Sequence, residues 1–225
     1  SVVLDGDSNF VIKPDTTYGS YLIYSGSADK QHEIQVFRRN GYNSGATWFY
    51  GFEGAPATTL GTAPARKRSI EFYGNSITVG SGMYPDSAGY GSENNFKSYA
   101  ALTARHFQAA YTCIARPGIG LMVSWFPMIM PQLYYRENPF DSASAWNFSR
   151  NVPDIVVINA LQNDCALFNE PDHPELRKRF GSNTPSEAFI ENAYRDFVTT
   201  IRKKYPAAHI ICALGSMDAV KPGSP

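Results

Sequence analysis

The feature that most constrains the fold is the alternation of short apolar runs with helix-forming sequence after Arg68. The four runs are residues 69–73, 111–115, 154–160 and 209–214. Runs of this length without polar alternation are typical of strands buried in a parallel sheet. Cys113 and Cys212 lie within them, and we expect both to be buried thiols. Strands that alternate with helices predict right-handed connections and a layered α/β domain.

Two stretches between the runs predict helices. The longer one covers residues 184–205, with Thr184 as the N-cap, Pro185 in the first turn and Glu187 completing a capping box. Apolar side chains then recur every four residues, which gives the helix one apolar face. The second predicted helix covers residues 96–108.

The first 62 residues predict a different architecture. Short runs of β-branched and aromatic residues are separated there by glycine and asparagine turns. The runs are residues 2–4, 10–12, 21–24, 33–37 and 47–50. Closely spaced strands without helical periodicity indicate a β-sandwich, although five strands close poorly into two sheets. We therefore predict a β-sandwich domain over residues 1–62, incomplete at its N-terminal side, and an α/β domain over residues 63–225.

Charge and hydropathy argue against two classes of partner. The chain has 20 basic and 20 acidic residues, whereas a nucleic-acid-binding surface needs a basic surplus. The longest apolar candidate, residues 120–130, is interrupted by Pro127 and is shorter than the roughly 18 residues that a membrane span needs. We expect neither a nucleic acid nor a membrane as a partner.

Residues able to support acyl chemistry follow three of the predicted strands. Ligands of open α/β sheets bind at the carboxyl ends of the strands. Ser76 follows the first strand within the sequence YGNSITVG, where it can act as a nucleophile or only cap a helix. Gly118 follows the second strand and offers a backbone N–H, and Asn163 follows the third with a neutral side-chain amide. Attack on an ester carbonyl uses such a hydroxyl together with such donors.

The blocks around these residues resemble those of the SGNH (GDSL-type) hydrolases. Residues 73–80 are similar to the first block, and a glycine block at 117–120 and an Asn-Asp pair at 163–164 follow in the family's order. More narrowly, the chain resembles the two-domain carbohydrate esterases of family 2. That resemblance implies a flavodoxin-like three-layer α/β sandwich with a parallel sheet, preceded by a partial jelly-roll-like β-sandwich.

The resemblance also implies roles for these residues. Ser76 matches the nucleophile, Gly118 the backbone oxyanion donor, with Gly120 as the less favoured alternative, and Asn163 the amide donor. It implies a serine esterase that removes O-acetyl groups from plant-type polysaccharides such as xylan or glucomannan through an acetyl-enzyme. No metal or cofactor is implied, and the expected location is secreted, periplasmic or at the cell surface.

The sequence departs from the family pattern beside these residues. Asn75 stands where the first block more often carries Asp, and Leu161-Gln162 replace the usual Gly-Thr before Asn163. We count Asn75 and Gln162 as candidate substrate-binding residues. Aromatic residues make up 14% of the chain, and Trp125 and Trp146 could line a sugar cleft or could pack under a long loop.

The general base is the open question. The family supplies it from an Asp-x-x-His-Pro or similar block near its C-terminus. Of the four histidines in the chain, His173 in the sequence Asp-His-Pro is a candidate base, although the simpler interpretation is a surface-loop residue. We therefore expect the base to be a histidine beyond Pro225, so that the α/β domain is incomplete at its C-terminal end.

Two other functions stay open from the sequence. The first is a carbohydrate-binding protein that keeps the SGNH scaffold but has lost its base. The second is an SGNH lipase or arylesterase.

Overall fold

Two sheets organise the residues that the structure describes. The computed structural model describes residues 1–6, 8–26, 30–56, 58–83, 93–181, 183–213 and 215. An antiparallel sheet is formed by β1 (Val2–Leu4), β2 (Ser8–Phe10) and β3 (Ile34–Val36) in the order β2-β1-β3. A parallel sheet is formed by β4 (Ser69–Gly74), β5 (Ala110–Ala115), β6 (Ile155–Asn159) and β7 (His209–Ala213) in the order β5-β4-β6-β7.

Helices connect the parallel strands. They are α1 (Ser76–Val79), α2 (Tyr99–His106), α3 (Met130–Leu133), α4 (Gln162–Phe168), α5 (Pro174–Phe180) and α6 (Glu187–Lys204), with 3₁₀ turns at Tyr42–Ser44 and Asn95–Lys97. This arrangement confirms the predicted flavodoxin-like α/β class. No helix in the described part of the chain is long and apolar enough to cross a bilayer.

Strand β4 separates the two halves of the hydrophobic core. Its residues alternate between the faces of the sheet, as the period of two in a strand requires. Phe72 packs in a cluster with Ala100 and Ala104 of α2. Tyr73 packs on the opposite face with Phe197 and Ile201 of α6. The sheet therefore lies between two helical layers.

The order of the strands places a crevice at the end of β4. The chain runs from β4 to β5 on one side and returns to β6 on the other, so β4 lies at the topological switch point. Gly74, the last residue of β4, is in register with Ala115 and with Asn159, the last residues of its two neighbours. The three strands thus end at the same level, where open α/β sheets bind their ligands.

The long predicted helix is present, but it begins later than expected. Its N-cap is Ser186, whose hydroxyl accepts from the N–H of Phe189 at 3.3 Å. The prediction of Thr184 as the cap was wrong. Thr184 and Ser186 both carry a hydroxyl able to cap a helix, and it is the Ser186 hydroxyl that satisfies the N–H three residues later, as an N-cap does.

The antiparallel region is smaller than predicted. Residues 21–24 and 47–50 form no strand, so those two predictions were wrong. A β-rich segment becomes a strand only where a neighbour shares its backbone hydrogen bonds, and none of the described strands pairs with either segment. Trp48 and Tyr50 are accordingly 73% and 77% exposed.

Strand β7 is less buried than its apolar sequence predicted. It pairs only with β6 among the described strands, so it forms an edge of the sheet. Ile211 is 49% exposed, and Cys212 is exposed as well. The expectation that Cys212 is a buried thiol was therefore wrong. Leu214, the last residue of the predicted run, lies outside the described residues.

A carboxyl group is buried in the middle of the parallel sheet. Glu71 of β4 is 1% exposed and accepts hydrogen bonds from the hydroxyls of Tyr73 and Tyr205. Burial raises the pKa of the Glu71 carboxyl above its usual value of 4.5, and the two hydroxyls oppose that rise only in part.

Replacing Glu71 by glutamine should remove a pH dependence of stability. Because the folded chain holds this proton more tightly than the unfolded chain, the wild-type free energy of unfolding falls as the pH rises above 4.5. The loss is about 1.4 kcal/mol for each unit by which the pKa is raised. Urea denaturation from pH 4 to 8 should therefore show the Glu71→Gln protein gaining stability relative to wild type as pH rises. Glu191→Gln, on the exposed face of α6, is the control. Parallel wild-type and Glu71→Gln curves would contradict the prediction.

Candidate active site

Ser76 lies in the tight turn that leads from β4 into α1. It is the first residue of that helix, directly after the N-cap Asn75, and it is half-buried. The Asn75 side-chain oxygen accepts from the N–H of Ile77 at 3.1 Å, which fixes the turn. A Cβ atom at Gly74 would lie 2.0 Å from Thr78 Oγ1, so the turn requires glycine there. The hydroxyl is thus placed at the switch point of the sheet.

A buried chain of amides joins the end of β4 to the end of β6. Asn75 Nδ2 donates to Gln162 Oε1 at 2.6 Å, and Gln162 Nε2 donates to Asn159 Oδ1 at 2.7 Å. Rotating the Gln162 amide would let its oxygen accept from Gly215 N–H at 2.9 Å. The Ile77 N–H already fixes the orientation of the Asn75 amide, whose NH₂ group faces Gln162. Rotating Gln162 would therefore bring its own NH₂ group against that of Asn75. The Asn75–Gln162 pair therefore holds the two loops together as neutral partners.

The loop after β5 contains a backbone donor at Gly118. Gly118 has φ of +80°, a conformation that favours glycine, and its N–H has no acceptor among the described residues. The Gly120 N–H instead donates to Ser124 Oγ at 2.9 Å. A Cβ atom on Gly120 would also lie 2.0 Å from the Val123 carbonyl oxygen. Of the two glycines considered from the sequence, Gly118 keeps its N–H without an acceptor among the described residues, and Gly120 shapes the loop.

Asp164 holds that loop in place through hydrogen bonds to its backbone. Its fully buried carboxyl group accepts from the N–H groups of Leu121, Met122 and Val123 at 2.9, 2.7 and 2.9 Å. Burial raises the pKa of the Asp164 carboxyl, while the three backbone donors oppose the rise by stabilising its charged form. Asp164 therefore acts as a hydrogen-bond acceptor for the loop, and α4 is tied to the residues beyond β5.

Asn163 is held in one orientation by two neighbours. Its Oδ1 accepts from Trp125 Nε1 at 3.1 Å, and its Nδ2 donates to the Ile119 carbonyl at 2.8 Å. The indole N–H can only donate, so the oxygen must face Trp125 and the NH₂ group must face the Gly118 loop. One N–H of that group is used by Ile119, and the other has no acceptor among the described residues. Trp125 itself is 46% exposed.

His173 lies against this group of residues without contacting Ser76. Its ring meets the Trp125 ring edge to face, with centroids 5.2 Å apart. His173 Nδ1 accepts from the Glu175 N–H at 3.3 Å and caps α5. An imidazole that accepts at Nδ1 carries its neutral-form proton on Nε2, which is then unable to take a proton from a serine. The geometry therefore favours the capping role.

The other three histidines lie elsewhere in the chain. His32 hydrogen-bonds Asp5 near the antiparallel sheet. His106 ends α2. His209 begins β7, so it lies at the amino ends of the parallel strands, whereas Ser76 lies at their carboxyl ends. No histidine hydrogen-bonds Ser76 within the described residues.

Leu161 is a feature that sequence reasoning located but did not interpret. It precedes α4 with φ of +86°, a backbone conformation that disfavours residues with a Cβ atom. Such strain persists where the surroundings hold it in place, and it is frequent at functional sites. Leu161 also packs against the core cluster on the α6 face. The sequence signal that could have revealed this conformation is that Leu161 stands where the family pattern has glycine.

The structure brings most of the candidate residues together. The amide chain and the Asn163–Ile119 hydrogen bond link the three strand ends into one site. The linked candidates are Asn75, Ser76, Gly118, Trp125, Gln162 and Asn163, with His173 at the edge of the group. Trp146 is placed apart, because its backbone N–H donates to Tyr135 and its ring lies 5.3 Å from the Arg150 guanidinium. In the described part of the chain, no three His, Cys, Asp or Glu side chains cluster as metal ligands would.

Comparisons with known proteins agree on one group of enzymes. No protein-family profile matches the chain. The cellulase/esterase CelE of Acetivibrio thermocellus is 30% identical over 223 residues, which are 96% of this chain and 25% of that protein. An acetylxylan esterase/glucomannan deacetylase of Cellvibrio japonicus is 33% identical over 158 residues, which are 61% of this chain and 41% of that protein. The chain therefore spans less than half of either relative.

A solved structure extends the likeness over nearly the whole chain. A carbohydrate esterase family 2 enzyme with a carbohydrate-binding domain, from Corynascus thermopiles (Myceliophthora fergusii), is 30% identical with a TM-score of 0.70. The match covers 95% of this chain and 64% of that one. The homologues and structural neighbours are thus carbohydrate esterases of family 2, which confirms the resemblance seen in the sequence.

Proposed function

We propose that this chain carries the nucleophile and oxyanion donors of a family 2 carbohydrate esterase of the SGNH type, which removes O-acetyl groups from polysaccharides. The observation that carries the proposal is the meeting of three strand ends at one switch point, with Ser76, Gly118 and Asn163 in loops joined by hydrogen bonds. The named relatives support it, since they are esterases.

The proposed reaction follows from the chemistry of these groups. The Ser76 hydroxyl attacks the acetyl carbonyl while a base takes its proton. Three groups donate hydrogen bonds to the oxygen that becomes negative: the N–H groups of Ser76 and Gly118 and the Asn163 amide. Each such donor typically lowers the activation barrier by about 3 kcal/mol. The sugar hydroxyl leaves with a proton from the base. Water then attacks the acetyl-enzyme, which releases acetate and restores the serine.

The base is proposed to be a histidine outside these 225 residues. His173 accepts a hydrogen bond at Nδ1, and no carboxylate of the described residues hydrogen-bonds its ring. A serine hydrolase base instead donates from Nδ1 to an orienting group and receives the serine proton at Nε2. His173 remains in the proposal as a residue at the edge of the site that supports Trp125.

The proposed substrate is a plant-type polysaccharide, xylan or glucomannan. The name of the Cellvibrio japonicus relative supports this class. The half-exposed Trp125 ring offers an apolar face beside Asn163, and sugar rings stack on such faces. Asn75 and Gln162 are proposed to act on the substrate only through the position of the loops, since both amides are buried and bonded to each other. Because such polymers cannot enter a cell intact, we propose a secreted, periplasmic or cell-surface location.

A non-catalytic carbohydrate-binding protein is the second candidate, and one observation favours it. None of the four histidines is placed as a base, so the serine could lie in a site that binds glycans without cleaving esters.

Ester hydrolysis by the complete protein separates the candidates. We expect acetate release from acetylated xylan or glucomannan, and an initial burst of p-nitrophenol from p-nitrophenyl acetate as the acetyl-enzyme forms. The p-nitrophenyl octanoate ester should react much more slowly, whereas a preference for it would indicate the lipase alternative. Glycan binding without a burst or acetate release would establish the binding protein instead.

A further inference from the structure

The Arg116 guanidinium is enclosed between two aromatic rings. Its central carbon lies 3.7 Å from the centroid of the Tyr42 ring and 3.4 Å from that of the Phe126 ring. Cation–π attraction holds the guanidinium plane against such rings. With both faces covered, only the edge that carries the N–H donors remains for a ligand.

This clamp lies beside the oxyanion donors. Arg116 directly follows β5, and its backbone N–H donates to the Gly74 carbonyl at 3.3 Å, at the end of β4. Phe126 also packs on Gly118, because a Cβ atom there would lie 3.2 Å from Phe126 Cε1. A single ring therefore separates the guanidinium from the proposed oxyanion site. A saccharide bound at Gly118 would have its neighbouring substituents within reach of Arg116.

Arg116 differs from the other half-buried arginines in its partners. Arg105, Arg136 and Arg179 each donate to a backbone carbonyl. The Arg116 side chain donates to no oxygen of the described residues, and none of their carboxylates forms an ion pair with it. A partly desolvated cation without an anionic partner is unfavourable, and burial accordingly lowers the pKa of Arg116. Among the described residues, therefore, nothing occupies the capacity of this group for an anion.

We propose that the Arg116 edge binds the carboxylate of an acidic sugar, a uronic acid substituent on the acetylated polysaccharide. A guanidinium edge matches a carboxylate with two parallel hydrogen bonds. The net charge of zero over the chain provides no general attraction for anions, so selectivity would come from this one cation. Tyr42 belongs to the N-terminal region, which thereby contributes to the specificity of the site. The inference rests on the proposed function for its acetylated substrate.

Binding measurements test the inference independently of ester cleavage. Calorimetry with the complete protein would compare uronic acid-substituted xylan oligosaccharides with the same oligosaccharides after reduction of the carboxyl group to an alcohol. We expect the wild type to bind the acidic form at least about tenfold more tightly, as the loss of a charged hydrogen bond predicts. Arg116→Met should abolish that preference, and Arg116→Lys should retain only part of it. Arg195→Met, an exposed arginine on α6, should keep the full preference.

The outcomes distinguish this inference from the proposed function. Equal binding of both oligosaccharides by wild type would overturn the role of Arg116, whether or not the protein releases acetate. An acidic preference that persists in Arg116→Met would also overturn it. An acidic preference lost in Arg116→Met, in a protein that releases no acetate, would support the role of Arg116 while removing the esterase proposal. Thermal unfolding of each variant verifies that the compared proteins are folded.

Discussion

The Ser76→Ala protein should lose nearly all acetate release from acetylated xylan, with kcat lowered by about 10⁶-fold. Without the hydroxyl no acetyl-enzyme can form, and the oxyanion donors alone leave only a small residual activity. The fold should be preserved, because the cap of α1 is the Asn75 side chain and the Ser76 hydroxyl bonds no described residue. Acetate assays and thermal unfolding of the complete protein measure both expectations.

A matched control is available at the other end of α1. Ser81 lies just beyond α1, and its hydroxyl is buried without a partner in the described structure. Ser81→Ala removes an equal number of atoms near the site and should keep most of the activity. Full activity in Ser76→Ala would remove the nucleophile assignment. Loss in both variants would instead point to a disturbed turn, so retained glycan binding by Ser76→Ala is the accompanying measurement.

The parallel sheet could be predicted from the sequence because each of its strands is marked by residues that are neighbours in the chain. Each strand is a short apolar run, and the residue after the run lies at the carboxyl end of the sheet in any such topology. Ser76, Gly118 and Asn163 could therefore be placed near one another before their contacts were known. The register of Gly74 with Ala115 and Asn159 then supplied what the sequence lacked, the common level of the strand ends.

The remaining features depend on distant partners, which a single sequence does not reveal. Residues 47–50 have strand composition, but they form no strand in the described structure because no neighbour pairs with them. The Arg116 clamp needs Tyr42, which lies far earlier in the chain. The exposure of Cys212 follows from the edge position of β7.

Replacing Asn163 by alanine should lower kcat for acetate release by roughly 100- to 1000-fold, as the loss of one oxyanion donor does. The effect should fall mainly on kcat, because the donor acts on charge that develops only in the transition state. Asn163→Asp keeps the acceptor for Trp125 but replaces the NH₂ group with a negative oxygen. It should be at least as inactive, since that oxygen would face the Ile119 carbonyl and repel the oxyanion.

The Trp125→Phe variant distinguishes donation by Asn163 from a merely structural role. It keeps an aromatic ring and removes the indole N–H that fixes the amide at 3.1 Å. If Asn163 acts as a donor, Trp125→Phe should lose activity only in part, because the Ile119 carbonyl still orients the NH₂ group. Combined with Asn163→Ala it should add little, since the indole then has no amide to orient. Unchanged kcat in Asn163→Ala would exclude this amide from the oxyanion site and leave the N–H groups of Ser76 and Gly118 as its donors.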